Sequence, residues 1–181
     1  MSEQSSKALE TITEERSPAS AHTEHFPVTT PKKKSEPPLI LLVEDNPADV
    51  QLLVEAFRES KFDYHLRVAN NGAVAMQYLR MKGTYHQAKT PDLIILDLNL
   101  PRKDGRTVLA EIKQDTTLKR IPVIILSVSQ AEEDILMSYE LSANCFISKP
   151  VDLNDFMAAV KQIREFWLST VKLPPDWGVP H

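Results

Sequence analysis

Short apolar runs alternate along the chain with longer segments in which apolar residues recur every three or four positions. The runs predict strands at residues 39–43, 64–69, 92–96, 121–126 and 143–148. The first, LILLV, is continuously apolar, which is typical of a strand buried on both faces of a parallel sheet. Five strand–helix repeats therefore predict an α/β protein with a doubly wound parallel sheet, right-handed crossovers and helices on both faces.

A helix is predicted after each strand. Asn46-Pro47 opens the first helix, since Asn caps helix N-termini well and Pro is tolerated in the first turn. The fourth helix is predicted at 131–141, and the fifth starts near Asp152 or Leu153. The apolar positions that indicate the first, third and fifth helices are Val50, Leu53, Val54 and Phe57, then Val108, Leu109 and Ile112, then Leu153, Phe156, Met157, Val160, Ile163 and Trp167.

The periodic pattern covers only part of the 181 residues. Residues 1–37 are rich in Ser, Thr, Glu and Pro and lack a sustained apolar period, which predicts a disordered N-terminal tail. One domain is expected over 38–166. Residues 167–181 form a C-terminal extension that stays apolar as far as Trp177, and it is expected either to pack on the domain or to lie in a dimer interface.

Composition narrows the function classes. A net charge of −4 provides no electrostatic case for binding nucleic acid or an anionic membrane. No apolar run approaches the roughly 20 residues of a membrane helix. The single cysteine, Cys145, fits a reducing compartment, so a cytoplasmic protein is expected. With only four glycines and neither common Gly-rich phosphate motif, a Gly-lined nucleotide site is not expected.

Polar residues close four of the five predicted strands. Glu44-Asp45 follows the first strand, Asp97 the third, Ser127 the fourth and Lys149 the fifth. The carboxyl ends of parallel strands share one edge of the sheet, where ligands bind in such folds. Two like charges about 4 Å apart repel by about 4 kcal/mol at an effective dielectric of 20. Three carboxylates at that edge need compensation, or some of them must stay protonated. A hard divalent cation such as Mg²⁺, held by oxygen ligands, is the expected answer.

This set of side chains suggests phosphoryl chemistry. One carboxylate would act as a nucleophile towards phosphorus and form an acyl phosphate. The metal and Lys149 would offset the charge of the phosphoryl group. Each residue also has a purely structural interpretation, for example as a helix cap, a turn acid or a surface charge. The occurrence of a polar residue at the end of four strands favours a functional site.

At these residues the chain resembles the receiver domain of bacterial response regulators. The matching segments are LLVEDNPAD, DLIILDLNLPRKDG, VIILS and CFISKP, within about residues 38–166. The resemblance implies a flavodoxin-like receiver fold with strand order 2-1-3-4-5. It also implies a phosphoprotein of a two-component phosphorelay that accepts a phosphoryl group on Asp97 from a histidine kinase. Such a protein is no enzyme beyond promoting its own phosphorylation and dephosphorylation.

The same resemblance implies roles for the other site residues. Mg²⁺ or Mn²⁺ would be held by Asp45, Asp97 and the backbone carbonyl of Asn99, with Glu44 acting through water. Lys149 would bind the phosphoryl oxygens, and the Lys149–Pro150 peptide would be cis. Ser127 and Phe146 would form a switch pair that changes the face made by helix four, strand five and helix five.

A narrower resemblance, to the cyanobacterial phytochrome-associated response regulators, rests on three longer segments. These are DNPADVQLL, LPRKDGRTVLAEIKQDTTLKRIPV and EFWLSTVKLP. It implies a light-sensing, phytochrome-type histidine kinase as the partner and no DNA-binding output domain. It also implies a homodimer through helix four, strand five, helix five and the tail, with output by a change in protein contacts.

Two residues depart from the family pattern, and two other functions stay open. Phe146 stands where many members carry Tyr, and Val128 stands where a small residue is common and is expected to narrow access to Asp97. One alternative is a phosphatase with an Asp nucleophile, but Asn99 stands where such enzymes place a second acid. The other is a phosphate-independent binding module, which Val128 favours and the complete acid set disfavours.

Overall fold

The computed structural model describes residues 36–58 and 63–175, and these form a five-stranded parallel sheet. The sheet order is β2-β1-β3-β4-β5, which confirms the predicted fold class and strand order. The strands are β1 Leu39–Val43, β2 His65–Ala69, β3 Leu93–Leu96, β4 Val123–Ser127 and β5 Cys145–Ser148. Of the predicted tail at 1–37, all but Glu36 and Pro37 lie outside the described residues, as do residues 176–181.

Helices follow the strands as the apolar spacing predicts. They are α1 Pro47–Arg58, α2 Gly72–Leu79, α3 Gly105–Gln114, α4 Glu132–Glu140 and α5 Leu153–Glu165. Two 3₁₀ turns, Gly83–Tyr85 and Leu118–Arg120, lie between these elements, and a π-helical turn at Phe166–Thr170 follows α5. Within the described residues, no helix combines the length and apolar character that crossing a membrane requires.

Each face of the sheet buries its own apolar cluster. Successive side chains of a strand point to opposite faces. Accordingly Leu41 and Val43 of β1 pack with α2 and α3, whereas Ile40 and Leu42 pack with α1 and α5. This is why the sequence of β1 is apolar at every position. Burying one such side chain contributes about 1.5–3 kcal/mol.

Side-chain caps start the helices close to the strand ends. Asn46 Oδ1 accepts a hydrogen bond from the Ala48 N–H at 3.0 Å, which confirms Asn46-Pro47 as the start of α1. Asp152 Oδ1 likewise accepts from the N–H groups of Asn154 and Asp155 at the start of α5. Both helices therefore begin within a few residues of the sheet edge, which brings their first turns close to it.

The C-terminal extension contacts the domain that precedes it. Trp167 and Leu168 are half-buried and pack against the cluster of α1 and α5, whereas Phe166 is 54% exposed. The side chains of Phe166 and Trp167 meet edge to face with ring centroids 5.8 Å apart. Part of the apolar character seen in the sequence after α5 is thus explained by packing within the chain.

Candidate functional site

The carboxyl edge of the sheet brings the predicted polar residues together. Backbone hydrogen bonding continues one residue beyond the strands: the Asp97 N–H donates to the Val43 carbonyl at 3.0 Å, and the Lys149 N–H donates to the Ser127 carbonyl at 2.7 Å. The Glu44 N–H likewise donates to the Ala69 carbonyl at 3.0 Å, so the residues after β1, β3 and β5 are held in register with their neighbours. Their side chains leave the sheet at one edge, as the parallel topology predicts.

Lys149 lies at the centre of this edge. Its Nζ donates hydrogen bonds to Glu44 Oε2 at 2.6 Å, Asp97 Oδ2 at 2.7 Å and Asp49 Oδ2 at 2.9 Å. A lysine ammonium has three N–H donors, so each one has a carboxylate partner. The side chains of Lys149, Glu44 and Asp97 are 4%, 2% and 6% exposed, so these charge pairs are shielded from water.

The second oxygen of Asp97 is also held. Asp97 Oδ1 accepts a hydrogen bond from the Asn99 N–H at 3.0 Å. The two contacts fix the carboxylate plane at the end of β3. Asn99 Nδ2 makes a long contact of 3.5 Å with the Ser127 hydroxyl, which itself accepts from the Ser129 N–H at 3.4 Å. Asn99 therefore contacts Asp97 through its N–H and the buried Ser127 through its side chain.

Burial and ion pairing act in opposite directions on the charged groups. Burial raises the pKa of Glu44 above its ordinary value, although the hydrogen bond and charge of Lys149 oppose that shift. For Lys149, burial alone lowers the pKa, but the hydrogen bonds that it donates to Asp97, Glu44 and Asp49 outweigh burial, and the pKa is raised. Lys149 therefore stays charged at neutral pH.

The edge carries more negative than positive charge. Asp45, next to Glu44, is exposed and takes no part in the hydrogen bonds of Lys149. Four carboxylates, of Glu44, Asp45, Asp49 and Asp97, thus lie within one stretch of the edge with a single ammonium. Hard carboxylate oxygens in excess are the ligand chemistry that Mg²⁺ and Mn²⁺ prefer. The donor set therefore fits such a cation chemically.

The carboxylates of this edge are not already arranged as a metal-binding site. No group of three or more His, Cys, Asp or Glu side chains in the described part of the chain is already arranged around a metal position. Glu44 and Asp97 instead share the Lys149 ammonium. A cation at this edge would compete with that ammonium for Asp97.

The predicted switch pair is only partly adjacent to the site. Ser127 ends β4 and is fully buried beside Asn99. Phe146 lies on β5, half-buried against the cluster of α2 and α3. Its N–H donates to the Tyr139 hydroxyl of α4 at 3.3 Å. Phe146 therefore connects β5 with α4. Both elements belong to the face that the switch pair is predicted to change.

One expectation for the site is wrong. The Lys149–Pro150 peptide is trans, and no cis peptide occurs among the residues that the structure describes. For a bond that precedes proline, trans is favoured by about 0.5–1 kcal/mol. Lys149 reaches Glu44 and Asp97 from the trans geometry, so these contacts do not require the cis isomer.

The sequence interpretation missed Asp49. This residue lies in the first turn of α1 and pairs with Lys149. A signal was present: an acid that follows the strand-end pair Glu44-Asp45 by one helical turn lies in a helix that starts at the same edge. Asp49, Lys149 and Val128 line a cleft of about 160 Å³ together with Leu52, Pro150, Val151, Leu153 and Phe156. Val128 is 60% exposed there.

Comparison with known proteins supplies the family. Residues 40–161 match the model of the response regulator receiver domain. Response regulator Rcp1 of Synechocystis is 49% identical over 142 residues, which is 78% of this chain and 97% of that protein. The probable methanogenesis regulatory protein FilR2 of Methanothrix harundinacea is 34% identical over 77% of this chain and 89% of its own length.

Solved structures agree with that match. The Mn²⁺-bound form of Rcp1 has a TM-score of 0.76 at 49% identity and covers 77% of this chain and all of its own. The phosphorylated cyanobacterial phytochrome response regulator RcpA has a TM-score of 0.75 at 53% identity, over 77% of this chain and 99% of its own.

Proposed function

This chain belongs to the response regulator receiver family, and we propose that Asp97 is the residue on which it accepts a phosphoryl group from a histidine kinase. The observation that carries the proposal is the environment of the Asp97 carboxylate. Asp97 directly follows β3, the middle strand of the sheet. Its carboxylate accepts hydrogen bonds from the Asn99 N–H and from the charged Lys149 ammonium. The phosphatase and binding-module alternatives gain no support from the relatives.

The chemistry is a transfer between two nucleophiles. One Asp97 carboxylate oxygen attacks the phosphorus of the donor phosphohistidine and forms a new P–O bond. The P–N bond to the imidazole breaks, and its electron pair remains on the nitrogen, which then takes a proton from solvent. Lys149 offsets the charge of the phosphoryl oxygens at the buried end of the site. The Ser127 hydroxyl, which lies 3.5 Å from Asn99 Nδ2, is the proposed second donor to those oxygens.

A divalent cation is part of this proposal. Asp45, Asp97 and the backbone carbonyl of Asn99 would hold Mg²⁺ or Mn²⁺, with Glu44 acting through water. The excess of carboxylates at the edge and the Mn²⁺-bound structure of the relative Rcp1 support it. When bound, the cation supplies positive charge opposite the phosphoryl oxygens. The protein contributes the oriented Asp97 carboxylate and the Lys149 ammonium.

The signal and its output form the next part of the proposal. A phytochrome-type histidine kinase is the proposed partner, supported by the cyanobacterial phytochrome response regulator RcpA at 53% identity. Ser127 and Phe146 are the proposed switch residues, because Phe146 connects β5 with α4. Rearrangement there would change protein contacts on the face formed by α4, β5 and α5.

The assembly and boundaries are proposed on the same basis. A homodimer through α4, β5, α5 and the tail would use the exposed apolar side chains Leu136, Met137 and Phe166. The receiver domain is assigned to 38–166, between an N-terminal tail at 1–37 and an extension at 167–181. A cytoplasmic location without nucleic-acid binding accords with this role and with a net charge of −4.

The direct test is phosphorylation of the full chain by acetyl phosphate with Mg²⁺. Intact-mass spectrometry should show one added phosphoryl group in the wild type and none in Asp97→Asn. Asp155→Asn, an exposed acid at the start of α5, is the matched control and should gain the group. Equal labelling of Asp97→Asn and the wild type would refute Asp97 as the acceptor. Steady turnover of a phosphomonoester would instead indicate a phosphatase.

The kinase itself can be identified on gels that separate phosphorylated from unmodified protein. Transfer from an autophosphorylated phytochrome-type kinase to the wild type, with none to Asp97→Asn, is the expected result. Transfer from other kinases alone would exclude the phytochrome assignment and leave the phosphoacceptor role intact.

A further inference from the structure

Asp49 holds the same ammonium group as the proposed phosphoryl acceptor. Its Oδ2 lies 2.9 Å from Lys149 Nζ, compared with 2.7 Å for Asp97 Oδ2. Asp49 belongs to α1, whereas the other two carboxylate partners of Lys149 follow strands of the sheet. The lysine is thus restrained from two different layers of the fold.

Each of the three Lys149 N–H groups has a defined partner. Glu44 and Asp49 bind two of them, so the third is directed at Asp97. When an Asp97 oxygen enters an acyl phosphate, negative charge moves from the carboxylate to the phosphoryl oxygens. The third N–H can then donate to a phosphoryl oxygen, while the hydrogen bonds of the other two to Glu44 and Asp49 keep Nζ in place. A flexible lysine side chain needs such restraints to remain oriented.

We propose that Asp49 is a positioning residue for phosphoryl transfer, because it anchors Lys149 Nζ so that one N–H remains directed at Asp97. The inference rests on the proposed function of Asp97. Asp49 acts through Lys149 and forms no bond to phosphorus. Its carboxylate accepts a hydrogen bond before and after the transfer, so its own charge and bonding are unchanged by the step.

The place of Asp49 at the edge distinguishes it from Glu44. The Asp49 side chain is 22% exposed, whereas that of Glu44 is 2% exposed. Asp49 also lines the cleft that contains Val128 and Lys149. Replacing Asp49 therefore removes the most exposed partner of Lys149 and keeps the buried side chains of Glu44 and Asp97 unaltered, so the variant is expected to fold.

Asp49 also has a second effect, which lowers the phosphorylation rate instead of raising it. Its negative charge repels an anionic phosphodonor that enters the cleft, so loss of charge alone would speed phosphorylation. Two substitutions separate charge from position. Asp49→Asn removes the charge but keeps a side-chain oxygen that accepts the Lys149 hydrogen bond, whereas Asp49→Ala removes both.

The experiment measures phosphorylation of the full chain by acetyl phosphate with Mg²⁺ at several donor concentrations. Asp49→Ala should lower the maximal rate about tenfold with little change in the half-saturating donor concentration, because misplacing a charge-stabilising group slows the transfer step. Asp49→Asn should restore the rate to within about twofold of wild type. Asp155→Ala is the control, since Asp155 is likewise the third residue of its helix but is exposed.

The outcomes separate the hypotheses. A maximal rate for Asp49→Ala equal to that of wild type would overturn the inference, and so would equal acceleration in the Ala and Asn variants. Failure of the wild type to be phosphorylated would instead count against the proposed function. Thermal melting checks folding, and Asp49→Ser, whose side chain is too short for this contact, replaces Asp49→Ala if the latter does not fold.

Discussion

The Lys149 ammonium lies 2.7 Å from Oδ2 of Asp97, and the two side chains are 4% and 6% exposed. A buried ion pair of this kind is poor evidence of net stabilisation, because both ions give up their hydration. Losing one partner is nevertheless costly, since the other charge is left buried. Lys149 pairs with both Glu44 and Asp97, so it is expected to matter for folding as well as for the proposed phosphoryl transfer.

Lys149→Met should therefore destabilise the domain at pH 7–8. The expected loss in unfolding free energy is about 3–5 kcal/mol, because two buried carboxylates lose their counter-charge. Chemical denaturation monitored by tryptophan fluorescence measures this loss. Lys161→Met, an exposed lysine replaced on α5, should change stability by less than about 0.5 kcal/mol. Similar curves for the two variants would contradict the structural role of Lys149.

Glu44 should make stability fall as pH rises above its ordinary pKa of 4.5. Its pKa is raised from the ordinary value of 4.5 because burial outweighs the pairing with Lys149. The folded state then binds the proton more tightly than the unfolded state. This contribution is fully present below the unfolded pKa and is lost as pH rises through the folded pKa.

Comparison with Glu44→Gln isolates that contribution, since Gln is neutral and keeps an oxygen acceptor for Lys149. The unfolding free energy of each protein is measured over a range of pH. The difference, wild type minus Glu44→Gln, should decrease as pH rises, which is a negative slope. Its magnitude should be at most about 1.4 kcal/mol per pH unit, the value for one proton. A positive slope would mean that pairing with Lys149 outweighs burial and lowers the pKa of Glu44.

Gly105→Ala should disturb both the fold and the site. A Cβ at Gly105 would overlap the Asp97 carbonyl oxygen and would lie 2.6 Å from the Leu98 Cα. Both are backbone atoms, so the loop after β3 must shift. We expect a loss of about 1–3 kcal/mol or more in denaturation experiments, together with slower phosphorylation of Asp97.

Gly83→Ala provides the comparison for that substitution. Gly83 has a φ of +60° but has no atom within 4 Å of an added Cβ. Its replacement should cost about 1–2 kcal/mol from the left-handed backbone alone, and it should leave the phosphorylation rate unchanged. A Gly105→Ala protein with wild-type phosphorylation kinetics would contradict the expected loop shift.

Arg164 should stabilise the contact between α1 and α5. It is 5% exposed and its Nη1 donates to the Ala56 carbonyl at 2.5 Å. Ala56 lies in the last turn of α1, where carbonyls lack an intrahelical partner and a positive charge is favourable. Arg164→Met should cost about 1.5–3 kcal/mol in unfolding free energy. Arg164→Lys should recover part of this loss. An Arg164→Met variant as stable as the wild type would exclude the capping role.

The alternation of apolar runs and helical spacing was enough to predict the fold. Every position of LILLV is apolar because both faces of β1 are covered, and this points directly to a parallel sheet. The topology then brings the ends of β1, β3, β4 and β5 to one edge. Glu44, Asp97, Ser127 and Lys149 therefore follow from the sequence with no knowledge of distances.

The sequence by itself thus determined the α/β class and the residues at the sheet edge, because side-chain period and the polar residue that ends each strand are local features. The resemblance to the receiver family added the strand order. The tertiary structure decided how those residues are paired. It buries Glu44 and exposes its neighbour Asp45, brings Asp49 to Lys149, and leaves the Lys149–Pro150 peptide trans. These features depend on where α1 and α5 pack and how far each side chain then reaches, which no local pattern specifies.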